Sequence, residues 1–191
     1  MILQNGIIVY HAGYIPIKKI DLSLCSVGKD FGKGFYTTTD YNQACKFVKV
    51  SIKKAIKNGI KLSNPSMGYI TAFNFANSEE KISVFEFNDA NREWLHCVAG
   101  HRNHNLAINE KNIWTNYDII AGKIANDATN QVITAYINGL YGEVGSDLAD
   151  ETAIRLLLPN KLSNQICFKT EAAIRCLTFA ETKEFFIDEH Q

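Results

Sequence analysis

The sequence lacks a net charge: 20 basic side chains balance 20 acidic ones over 191 residues. That balance excludes an overall field able to draw the chain to nucleic acid or to an anionic membrane. It also lacks any CxxC pair, and its five cysteines (Cys25, Cys45, Cys97, Cys167 and Cys176) are odd in number, three of them inside apolar runs. A disulfide framework is therefore not expected, and the thiols read as small hydrophobes in a reducing compartment. No apolar window approaches the length of a membrane span, and residues 1–6 carry no charged region ahead of a short apolar stretch. Neither a transmembrane helix nor a signal peptide is expected, and the reading is a cytoplasmic protein without membrane contact. Internal repeats, low-complexity segments and a regular βαβ alternation are missing too.

What is present is an ordinary globular composition, 46% apolar and 21% charged, long enough to bury one substantial core. The expectation is one domain over residues 1–191. Residues 7–10 form a continuous rather than alternating apolar run, which predicts a strand central in a sheet. Asp40 caps a helix to about Asn58, with Ala44, Phe47, Val48, Ile52, Ala55 and Ile56 on its inner face and Gly59 closing it. Strands are expected at 69–75 and 82–87, separated by the polar turn from Asn77 to Lys81. Asn88 or Asp89 then caps a helix through Trp94 and Val98. Residues 117–122 read as a strand, 131–140 and 147–158 as helices, the second stopped by Pro159. Strands at 165–169 and 183–187 flank a short helix capped by Thr170 and running through Ile174 and Leu177. Strands and helices mixed in this irregular order predict an α+β fold.

Two N-terminal segments concentrate the chemistry. Val9-Tyr10-His11-Ala12-Gly13 carries a histidine on a strand, and Gly28-Lys29-Asp30-Phe31-Gly32-Lys33-Gly34-Phe35-Tyr36 carries a tyrosine after a glycine-rich loop. Glycines at such places serve where a ligand or another backbone comes close. Taken singly, each residue has a plain structural reading as a core histidine, a strand aromatic or a turn former.

Together with Asn164-Gln165-Ile166-Cys167-Phe168, these segments resemble in order the three-strand motif set of the ADP-ribosyltransferase superfamily, in its diphtheria-toxin and poly(ADP-ribose)-polymerase branch. The likeness is closest to a bacterial toxin-like group, and it implies a split, mostly antiparallel sheet with flanking helices. It further implies NAD as co-substrate and no metal. By resemblance, His11 would bond a ribose hydroxyl, Gly13 would offer backbone groups to the nicotinamide carboxamide, and Tyr36 would stack on the nicotinamide ring. Ala12, Phe31, Gly32 and Gly34 complete the expected NAD contacts. The third strand departs from the pattern, because Gln165 stands where the family has a glutamate. An amide bonds a hydroxyl but supplies no negative charge against an oxocarbenium ion. Catalysis is thus assigned to Gln165, Tyr36 and His11, as mono-ADP-ribosyl transfer; NAD hydrolysis and a non-catalytic NAD- or ADP-ribose-binding module are the alternatives. The acceptor is a macromolecule, protein or nucleic acid, and the resemblance also implies a small antitoxin-like inhibitor protein.

Other clusters have plainer readings. The lysines at 46, 49, 53, 54, 57 and 61 form the solvated face of a helix, with nucleic-acid contact as the alternative. His96, His101, His104 and Cys97 make an incomplete zinc set. Asp147, Asp150 and Glu151 read as an acidic helix start favoured by the helix dipole. Asp127, in a polar loop after a buried strand, is a further candidate for the site, and Glu171 is held as an alternative to Gln165.

Overall fold

The structure, a computed structural model, describes residues 3–77, 81–106, 108, 113–124, 127–158 and 162–187, without the side chains of Asp127 and Ala128. The Pro159 helix stop, residues 78–80 of the polar turn and residues 125–126 ahead of the third helix lie outside that set.

Among the described residues, seven strands and five α-helices follow one another as β1 (Ile8–Gly13), β2 (Phe35–Thr37), α1 (Tyr41–Lys57), β3 (Met67–Phe75), β4 (Val84–Glu86), α2 (Arg92–Arg102), β5 (Ile119–Lys123), α3 (Asp127–Ile137), α4 (Asp147–Leu157), β6 (Asn164–Phe168), α5 (Glu171–Arg175) and β7 (Leu177–Phe186). The strands form two sheets, ordered β1-β3-β7 and β2-β6-β5-β4. Every pairing is antiparallel except β4 with β5. The fold is α+β with a split, mostly antiparallel core.

Three apolar clusters explain the layering. Ala44, Val48 and Ile52 of α1 pack on Ala12 and Ile70 of the first sheet. Val9, Phe73 and Phe75 of that sheet meet Ile119, Ile166 and Phe168 of the second. The far face of the second sheet, through Ile120 and Cys167, packs under Trp94, Leu95, Ile133 and Ala153 of α2, α3 and α4. This arrangement corrects the expected position of β1. It runs along the edge of its sheet, and its continuous apolar character comes from burial on both faces, under α1 and against the second sheet.

Helix α1 forms as its caps dictate: Asp40 accepts from the amides of Asn42 and Gln43, and Gly59 takes the left-handed conformation at φ +77°. Its buried face is narrower than expected, since Phe47 and Ile56 are exposed. The cap of α2 is Asn91, whose side chain accepts the Trp94 amide at 3.0 Å. Asp89 instead bonds the next residue's amide, because starting the helix at Arg92 buries Trp94, Leu95 and Val98 together. The final strand is longer than expected and starts at Leu177, where the short helix is expected to continue.

Candidate functional site

Among the described residues, the two sheets are joined by a single backbone bridge. Tyr10 and Thr38 exchange both backbone bonds, at 2.8 and 3.0 Å. In a regular antiparallel ladder the next such pair would be Ala12 with Tyr36. The ladder opens there instead, because His11 Nδ1 donates to the Tyr36 carbonyl at 2.8 Å. The imidazole has taken the acceptor that Ala12 would have used. Since Tyr10 faces β2, the alternation along β1 turns the peptide groups of Ala12 toward this opened seam and those of Gly13 toward Tyr69 of β3. The residue able to offer a free N–H and C=O is therefore Ala12, where the sequence points to Gly13.

His11 itself is stacked on Phe35, ring centroids 4.5 Å apart. A carbonyl only accepts, so Nδ1 carries the proton. Burial holds the imidazole below its ordinary pKa, against the smaller opposing pull of the Tyr36 carbonyl. The ring is then neutral at pH 7, and Nε2 presents a lone pair, an acceptor suited to a hydroxyl. Thr37, next along β2, holds the one buried side-chain oxygen without a partner among the described residues. Such an orphan is uncommon in a native interior and fits a place where a bound molecule supplies the bond.

On the other side of β2 lies Gln165, which pairs with Gly122 of β5 on β6. Its Nε2 donates to Asp30 Oδ2 at 2.7 Å and to the Lys123 carbonyl at 3.2 Å. Both partners can only accept, which fixes the amide with Oε1 as its remaining acceptor. Asp30 comes from the glycine-rich loop and is held from behind by Arg102, whose Nε and Nη2 reach Oδ1 at 3.0 and 2.6 Å. Arg102 is itself braced by Asn130 Oδ1 at 2.6 Å. Nothing local in the sequence marks Asp30, because its partners lie 72 and 135 positions away.

The loop is latched by Tyr36. Its hydroxyl accepts the Phe31 amide at 2.9 Å and donates to the Gly32 carbonyl at 2.8 Å. Burial pushes this phenol well above its ordinary pKa, so it keeps the proton it donates. The ring is half-buried against the helical side of the core. Phe31 is fully buried against Phe87, 5.8 Å between centroids. Its side chain thus fills the core, over Gly122, where a Cβ would come within 3.1 Å of it. Gly32, at φ +86°, lets the loop pass against His101. A Cβ at Gly34 would sit 2.5 Å from Cys167 Sγ and 2.7 Å from the Phe168 carbonyl, so this glycine lets β2 lie on β6. Gly32 and Gly34 thus serve the close approach of protein to protein, whereas Gly28, at φ +70°, has open space where a Cβ would sit and serves the turn.

Two further candidates open helices. Asp127 begins α3, and Glu171 begins α5. Among the described residues no group of three or more metal-ligating side chains gathers. His101 Nδ1 donates to the Cys97 carbonyl at 2.8 Å, within its own helix. All five cysteines are thiols, and burial pushes Cys167 up to about 12, far from a thiolate nucleophile. The outer face of α1 carries a shallow groove of about 260 Å³ lined by Val50 and the lysines at 46, 49, 53, 54 and 57, which offers charge and no reactive group. Asp150 corrects the reading of the acidic helix start: it is 0% exposed. Its carboxylate accepts from the Tyr136 hydroxyl at 2.5 Å, His96 Nε2 at 2.8 Å and Arg92 Nε at 3.1 Å. No helix of the described residues is long and apolar enough to cross a membrane.

Chemically, the seam offers one peptide donor with its acceptor at Ala12, an imidazole acceptor at His11, and an amide acceptor at Gln165 across β2. That set suits a polar ligand bearing a carboxamide and hydroxyls. Comparison with known families matches the model of DUF3990, a protein family of unknown function, over residues 7–179, and the chain belongs to that family. Neither the curated proteins nor the solved structures gave a match.

Proposed function

We propose that this member of the DUF3990 family is a mono-ADP-ribosyltransferase that takes NAD as substrate in the seam between its two sheets. The observation that carries the reading is the opening of the ladder at His11, which frees an N–H and a C=O at Ala12. A primary carboxamide, as on nicotinamide, needs one acceptor and one donor side by side, and a single strand residue provides both. His11 Nε2 and Gln165 Oε1 are acceptors for hydroxyl groups, the pattern a ribose presents. Support also comes from the order of the motifs along the chain.

In the reaction, the bond between ribose C1′ and the nicotinamide nitrogen breaks, and its electron pair leaves with neutral nicotinamide. The ribose carbon passes through oxocarbenium character and forms its new bond to an acceptor nucleophile, which gives up a proton to solvent. Acceptors aimed at the flattening ribose act by electrostatic preorganisation, and fixing the dinucleotide across the seam removes the cost of orientation. The acceptor is a macromolecule, protein or nucleic acid. On the same reading the enzyme works in a reducing cytoplasm as a toxin, restrained by a small inhibitor protein.

The test is incubation with NAD labelled separately in its nicotinamide and adenine halves, with and without cell lysate. Release of nicotinamide with transfer of adenine label to macromolecules is expected, and protease and nuclease digestion then identify the acceptor class. Free ADP-ribose as the sole product would make the protein a hydrolase. Retention of intact NAD without release would leave a binding module and overturn the transferase.

A further inference from the structure

We infer that Asp30 and Gln165 work as one unit, in which the loop carboxylate orients and polarises the strand amide so that Gln165 Oε1 faces the scissile ribose as a strengthened acceptor. The inference rests on reading the seam as the site of NAD cleavage. The negative charge missing from the third strand is then present in space, delivered from a loop 135 positions away.

Three features argue for a functional pair. The Asp30–Gln165 contact, at 2.7 Å, is short for an N–H···O bond and buried, as charge-assisted bonds are. A carboxylate accepting from one end of an amide draws electron density toward the other end, so Oε1 becomes a better acceptor than in an isolated glutamine. Both sides of the pair are also braced. Arg102 grips Asp30 through two nitrogens, the Tyr36 hydroxyl latches the loop at Phe31 and Gly32, and the Lys123 carbonyl takes the second amide hydrogen. Asp30 does not touch the substrate in this account; it is a positioning residue.

The plain alternative is an ion pair that only closes the loop. A charge swap separates the two. In Asp30→Asn, Arg102 holds the amide oxygen, so the new NH2 faces Gln165 Nε2, donor against donor. Gln165 must turn over and present NH2 to the ribose. In Gln165→Glu, two carboxylates face each other at the former 2.7 Å contact and one must take up a proton. In the double variant, the amide introduced on the loop donates to the carboxylate introduced on the strand, the Lys123 carbonyl gives up the weaker of its bonds, to position 165 at 3.2 Å, and the charge has moved from loop to strand.

Release of labelled nicotinamide is measured at saturating NAD for wild type, both single variants and the double, with NAD affinity and melting temperature alongside. The expected results are a fall in kcat of at least about tenfold in each single variant, NAD affinity within about threefold, and recovery of the double variant to within about threefold of wild type. An Asp30→Asn variant with wild-type kcat would overturn the inference. So would a double variant as impaired as the two singles multiplied together. If Asp30→Asn alone melts below the assay temperature, Gln165→Glu against the double variant decides by the same criterion. A wild type that releases no nicotinamide removes the reading of the site and this inference with it; a cleaving wild type with an indifferent Asp30→Asn removes the inference alone.

Discussion

Two buried carboxylates, Asp150 and Asp30, sit on the helical side of the second sheet, and each is held by an arginine and by polar side chains from other elements. Around Asp150 every group is spent internally. Tyr136 donates its hydroxyl to Asp150 and accepts the Gly145 amide at 3.0 Å, His96 gives Nε2, and Arg92 also reaches Asp147 at 2.7 Å. Around Asp30 and the adjoining seam, hydrogen-bonding capacity is left over: Oε1 of Gln165 and Nε2 of His11 take no part in the bonds that hold those side chains, and the opened ladder leaves the peptide groups of Ala12. Burial and charge alone do not separate a structural staple from a site. Unspent hydrogen-bonding capacity does, and the two clusters differ in that respect.

The largest effect is expected at the Asp150 staple. Asp150→Ala leaves the buried His96 and Tyr136 without their common acceptor and a half-exposed Arg92 without one of its two carboxylates, and should cost about 1–3 kcal/mol for each buried group left unpaired. Urea unfolding measures it. The same variant, at temperatures where it remains folded, should bind NAD as wild type does, because α4 contributes nothing to the seam. A loss below about 1 kcal/mol would mean that Asp150 is not the joint between α2, α3 and α4.

A smaller effect sharpens the description of the seam. Tyr36→Phe keeps the ring and removes the latch on Phe31 and Gly32, at a cost of about 1–3 kcal/mol for the buried groups left unpaired. If Tyr36 serves as a loop latch, nicotinamide release should fall and loop proteolysis near Lys33 should rise. If stacking on nicotinamide is its main contribution, Tyr36→Phe should turn over like wild type with an intact loop.

Much of this frame was legible in the sequence, and the limits are physical. The Asp40 cap, the Gly59 stop and the strand at 69–75 rest on local chemistry, and local chemistry reads directly. The edge position of β1 was hidden because apolar continuity reports burial on two faces, and a packed sheet buries an edge strand as well as a central one. Asp150 follows Ala149 and precedes Ala153 by three positions, on the border of a helical apolar stripe, so the pattern held a faint signal of burial; its partners on α2 and α3 did not show. Asp30 lies inside the motif that concentrates the chemistry, but its meaning depends on Gln165 and Arg102. Glycine suggests backbone access and so points to Gly13, whereas the alternation of the ladder, which only pairing reveals, turns the peptide of Ala12 to the opening.

The smallest effect is on acid stability. Burial holds His11 and His101 below their ordinary pKa, so the unfolded chain takes up protons first as pH falls through about 6.5. Stability from these rings is complete above that pH and declines until the folded-state values are passed. The melting temperature should fall between about pH 7 and pH 5, and His11→Gln should remove part of that fall. A flat or rising melting temperature over this window would contradict the neutral imidazole, and with it the lone pair offered by Nε2.

Binding of NAD by the unspent groups of the seam is measured by thermal unfolding with and without NAD in wild type and His11→Ala. A ligand that binds only the folded state contributes about 2.7 kcal/mol at a hundredfold excess over Kd, roughly 5–10 °C for a chain of this size. Such a rise is expected in wild type, with a clearly smaller one in His11→Ala at the same NAD concentration. A wild-type melting temperature indifferent to millimolar NAD would contradict that binding.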